Sequence, residues 1–155
     1  MDKMDRDNID DFFIQADNGQ IYLKIDQAFG FPTDTCHWGG YDTQSRIEIK
    51  SANYSVKGQV YISTGNIYNF FRQFEECYKT LKGTATLESY EKNLLITLDF
   101  DGLGHVKITG TFNEMYNLNK LDFEMKTDQT FLADTLDSLT KIYQKFGDNK
   151  GVTRK

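Results

Sequence analysis

LLITLDFDGLGHVKITGTF, residues 94–112, decides the fold class. Leu94, Ile96, Leu98 and Phe100 fall on every second position, and Val106, Ile108 and Phe112 keep the same phase after a break. A period of two is the pleat of a strand with one apolar face, whereas a helix would scatter these residues around its circumference. The break, Asp101-Gly102-Leu103-Gly104, offers residues that tolerate tight turns and positive φ. Strands joined this closely run antiparallel, because a parallel pair needs a crossover of about a dozen residues or more.

The pattern recurs on both sides. Ile21, Leu23 and Ile25, then Ile47 and Ile49, then Val56, Val60 and Ile62 alternate with polar residues, as do Leu121, Phe123 and Met125 further on. Residues 84–88 read as a weaker strand. Asp17-Asn18-Gly19, Ser51-Ala52-Asn53 and Glu91-Lys92-Asn93 supply further turns. Two segments change period: Ile67, Phe70, Phe71, Phe74, Tyr78 and Leu81 recur at helical spacing over residues 66–81, with Ser63 or Thr64 as cap and Gly83 just past the end. Phe131, Leu136, Leu139, Ile142, Tyr143 and Phe146 do the same over residues 129–146, with Thr127 or Asp128 as cap and Gly147 as stop. The expected architecture is α+β: a single antiparallel sheet of about six to eight strands with both amphipathic helices on one face. Its other face would carry Arg46, Glu48, Lys50, Lys57, Gln59, Asp99, Lys107, Asp122 and Glu124, turned to solvent or to a partner.

With 155 residues, 39% of them hydrophobic and one proline, the chain is long enough for one core and short for two. The single domain is expected over residues 12–148, between an acidic flexible tail over 1–11 and a flexible basic tail over 149–155. The start is acidic where a signal peptide would be basic and then apolar, and no apolar run is long enough for a membrane span, so the expectation is a cytoplasmic protein without a membrane partner. Cys36 and Cys77 have neither a paired spacing nor the density of a disulfide scaffold and read as reduced thiols. A formal charge of −5 without a basic run argues against nucleic acid as partner.

Catalytic and metal chemistry lack their usual constellations. His37 and His105 are the only histidines, and His105 lies on the polar phase of a strand. Cys36 beside His37 is a poor nucleophile and base, since catalytic pairs approach from distant segments. Phosphate-binding glycine loops and metalloprotease motifs are missing, so the chain is expected to be no enzyme and to carry no cofactor. Asp99 with Asp101, and Asp122 with Glu124, alternate as acids of a solvated sheet face do. Residues 29–42 differ in kind, holding the only tryptophan and the only proline among several aromatics and glycines. One reading makes Trp38 a core plug, with Gly39-Gly40 supplying the tight turn; the other makes Trp38 and Tyr41 interface anchors flanked by Asp34 and Asp42.

Three stretches carry a resemblance: HWGGYD at 37–42, STGNIYNF at 63–70 and SYEKNL at 89–94. Together, within a match that spans about residues 19 to 147, they resemble the WapI-type family of bacterial immunity proteins. The resemblance implies an antitoxin that binds and neutralises the C-terminal domain of a cognate polymorphic toxin inside the producing cell, with a nuclease as one such toxin. It transfers no functional residue by name. The acid excess suits a basic partner. Candidate partner-binding residues are therefore Asp34, His37, Trp38, Tyr41, Asp42, Asp99, Asp122 and Glu124, on a monomer or weak homodimer. The alternative is a small-molecule or protein binding module of unknown role without catalytic activity.

Overall fold

A computed structural model describes residues 9–152. The chain folds as two successive units, each an antiparallel meander of four strands followed by a helix. The first holds β1 (Asp10–Ala16), β2 (Gly19–Ala28), β3 (Thr43–Ser51), β4 (Tyr54–Val60) and helix α1 (Thr64–Thr80). The second holds β5 (Lys82–Glu88), β6 (Leu94–Asp101), β7 (His105–Asn113), β8 (Lys120–Asp128), a 3-10 turn (Gln129–Leu132) and helix α2 (Ala133–Phe146).

The α+β class and the antiparallel hairpins stand as expected, but the single sheet does not: β1 to β4 form one four-stranded sheet and β5 to β8 another. The reason is geometric. Alternation specifies that each strand buries one face, and that requirement is met equally by one wide sheet under helices or by two sheets sharing a core. Here α1 separates β4 from β5, so the ladder stops and restarts. The apolar faces of both sheets and both helices merge into one core that includes Phe12, Ile47, Phe70, Leu98, Phe112 and Leu139. Two close approaches seal the sheets together: the Phe112 ring lies 2.7 Å from where a Cβ of Gly58 would sit, and Met125 Sδ 2.8 Å from that of Gly19. A Cβ at Gly58 would displace the Phe112 ring of the other sheet, and one at Gly19 would first strike the Lys50 carbonyl of its own sheet.

Each helix also covers the first strand of a sheet. α1 lies along β5, where Thr86 N donates to Gln73 Oε1 (2.9 Å), and α2 along β1, where Thr135 Oγ1 donates to Phe13 O (2.6 Å). Covered edges cannot recruit another chain. The helix signals are partly those anticipated: Ser63 caps α1 with a reciprocal bond to Asn66, but the left-handed C-cap is Leu81 at φ 67°, two residues before Gly83. Asp128 caps the 3-10 turn through Thr130 N, and Gly147 ends α2. Asp10 and Asp11 are strand residues of β1 and not part of an acidic tail; residues 1–8 and 153–155 lie outside the described residues.

Candidate partner-binding site

The connection from β2 to β3, residues 29–42, folds back over the end of the molecule. The Phe31-Pro32 peptide is cis, and Gly30, Gly39 and Gly40 all have positive φ. Gly40 N donates to Asn149 O (2.7 Å) and Gly65 N donates to Gly39 O (3.1 Å), so the glycine pair lies against the first turn of α1 and the segment after α2. A Cβ on Gly65 would fall 2.5 Å from the Gly39 carbonyl group. Only hydrogen fits there.

Tyr41, not Trp38, is the plug. Its side chain is 1% exposed, its ring meets Phe31 edge-on at 5.3 Å, and its hydroxyl donates to Pro32 O and accepts from Val152 N, both at 3.1 Å. Its backbone is held on both sides by Thr64, whose N donates to Tyr41 O and whose Oγ1 accepts from Tyr41 N, each at 2.8 Å. Trp38, which one of the two readings placed in the core, is 47% exposed. One indole face lies flat on Tyr90, with ring centroids 4.8 Å apart and planes 6° from parallel, and His37 packs against its edge at 5.0 Å. The core-plug reading fails because a turn closed by two glycines can direct the neighbouring ring either inward or along the surface, and here a tyrosine from the second unit offers the surface platform.

Asp42 ties this stack together. Its Oδ1 accepts from Tyr90 Oη (2.8 Å) and from Thr43 N (2.9 Å). Burial first, and then the bond to Asp42, hold the Tyr90 phenol well above its ordinary pKa. Behind the stack, Asn93 on the 89–93 turn reaches the first sheet, donating from Nδ2 to Gln59 O (3.1 Å) and accepting at Oδ1 from Tyr61 N (3.4 Å). The three stretches that carry the family resemblance therefore meet at one junction. HWGGYD is bonded to Thr64 and Gly65 on one side and to Tyr90 on the other.

The remaining candidates do not join them. Asp34 is exposed on the same connection. Asp99, Asp122 and Glu124 lie on the outer face of the second sheet, where Thr84 Oγ1 donates to Asp99, Thr111 Oγ1 to Asp122, and Lys107 pairs with Glu124 at 3.0 Å. An open depression of about 550 Å³ borders Asp99, Asp101, His105 and Lys126 at the far end of that sheet. Among the described residues no three His, Cys, Asp or Glu side chains converge as a metal site, and no helix is long and apolar enough to cross a membrane.

Two features were missed in the sequence. Tyr90 had no signal beyond its place in SYEKNL. The β7–β8 turn, residues 114–119, holds Tyr116 and Leu118, which are 95% and 101% exposed; three large apolar side chains, Met115, Tyr116 and Leu118, inside so short a turn were the available sign.

Fold and junction together define an α+β domain built from two meander-plus-helix units, locked at one end and presenting aromatic groups there. Over residues 12–147 the chain matches the immunity protein WapI-like family, and it belongs to that family. Comparison with curated proteins found no match, and comparison with solved structures found none either.

Proposed function

We propose that the protein is a stoichiometric inhibitor that binds the C-terminal domain of a polymorphic toxin encoded beside it, in the bacterial cytoplasm, as a monomer or weak homodimer and without turnover of its own. Membership of an immunity protein family over residues 12–147 is the observation that carries this reading. The acid excess supports a basic toxin domain, with a nuclease as the fitting activity, since such enzymes present cationic surfaces to phosphate. His37, Trp38 and Asp34 are the contacts proposed on the 29–42 connection; Asp99, Asp122 and Glu124 are proposed to steer association. Tyr41 and Asp42 serve by holding that connection in place.

Co-expression tests the reading. Cells producing the neighbouring toxin domain should survive when this chain is present, and the two should co-elute at micromolar concentration. Reversing Asp34, Asp99, Asp122 or Glu124 should slow association only where the acid borders the interface, and the effect should fade as salt shortens the Debye length to about 8 to 10 Å. Killing that continues with the chain in excess, and no complex on size exclusion, would rule the assignment out.

A further inference from the structure

We infer that the β7–β8 turn, residues 114–119, is an apolar anchor that fills a pocket on the protein partner. That this partner is the toxin domain rests on the function proposed above. Single exposed apolar residues are common on any protein surface. Two in one short turn, both almost fully solvated and neither part of the core, contribute nothing to folding by burial. Tyr116 moreover stands at φ 70°, the left-handed region that glycine or asparagine enters with least strain. Turn geometry alone would not select a tyrosine there.

The turn is also braced. Glu114 N donates to Asn119 O (3.1 Å), Asn117 Nδ2 to Glu114 Oε2 (2.7 Å), and Asn119 N to Asn117 Oδ1 (2.8 Å). A frame of this kind holds the backbone before any partner arrives, which lowers the ordering cost of binding. Its base is rooted in the junction: Asn113 N donates to Asn93 O (2.8 Å), on the same turn that offers Tyr90 to Trp38. Tyr116, Leu118 and Trp38 thus belong to one end of the molecule. Buried aromatic anchors of this type dominate the energetics of protein interfaces. Beyond the turn, the exposed face of β8 carries Lys120, Asp122, Glu124 and Lys126, with Asp122 beside Lys120 and Glu124 paired with Lys107, so the complementary surface is an apolar pocket with a rim of mixed charge.

The probe is the purified C-terminal domain of the toxin encoded beside this chain, titrated with wild type, the Tyr116→Ala/Leu118→Ala double variant and Tyr116→Gly. The double variant should bind about 100-fold more weakly, and Tyr116→Gly about 30-fold, in line with the loss of interface anchors. Tyr116→Gly should not lower the thermal midpoint, because glycine relieves the left-handed backbone; lost affinity with retained stability separates a contact from a structural role. Hydroxyl-radical oxidation of Tyr116 should fall in the complex. A double variant that binds within about threefold of wild type, or a Tyr116 oxidised equally fast in the complex, would overturn the anchor while leaving the immunity reading intact. Protection of the turn by self-association, or by neutral lipid vesicles without the toxin domain, would also overturn it. Failure of the wild-type chain to bind the toxin domain removes the immunity reading and the anchor together.

Discussion

Two connections of this molecule carry conspicuous aromatic groups, and they spend them in opposite ways. Residues 29–42 hold the densest aromatic and glycine content in the chain, yet the tyrosine near their end is 1% exposed, with its backbone bonded to Thr64 and its hydroxyl to Val152 N as well as to Pro32 O. Residues 114–119 hold Met115, Tyr116 and Leu118 beside a glutamate and two asparagines; Met115 is half-buried, while Tyr116 and Leu118 stand in solvent. Aromatic content therefore does not distinguish a lock from an anchor. What distinguishes them is whether the backbone also bonds outside the connection: the first closes its own turns and in addition ties Gly39, Gly40 and Tyr41 to α1 and the segment after α2, whereas the bonds of the second stay within the turn.

The contrast breaks most sharply at Gly65. By helix propensity, Gly65→Ala should stabilise α1 by up to about 1 kcal/mol; with the new Cβ driven into the Gly39 carbonyl, it should instead destabilise the protein by about 3 kcal/mol, read from urea midpoints. An unchanged or raised midpoint would mean that the connection is not clamped to the helix. Trp38→Ala comes next. A core plug would cost about 3 to 5 kcal/mol on truncation, whereas a half-exposed ring stacked on Tyr90 should cost about 1 to 2 kcal/mol, with emission already red-shifted in the folded wild type.

Alkaline pH offers a finer cut at the same stack. The Tyr90 phenol is held above its ordinary value of 10.0 by burial and then by Asp42. With the folded pKa above the unfolded one, its contribution is complete below about pH 10 and is lost as pH rises from there through the folded value. Stability should therefore fall across that window, and Tyr90→Phe should remove part of the fall; an identical alkaline limb in the variant would place the phenol in ordinary contact with water. The smallest effect belongs to the other connection: Tyr116→Ala with Leu118→Ala should shift stability by no more than about 0.5 kcal/mol, since nothing packs on either residue. A larger loss would show that the turn is a lock like the first.

Local order was written in the residues. Alternation at Leu94, Ile96, Leu98 and Phe100 requires a strand with one buried face, Ser63 and Asn66 close a helix start, and Asp101-Gly102 with Gly104 turns one strand onto the next, because each depends on neighbours within a few positions. The partition into two sheets was not legible, because the same buried faces satisfy either arrangement and only α1, lying along β5, ends the first ladder. Nor could composition assign Trp38 and Tyr41 to their places. That outcome rests on Tyr90, Thr64 and Val152, which come from distant parts of the chain, and contacts between such segments exist only once the two units have closed on a common core.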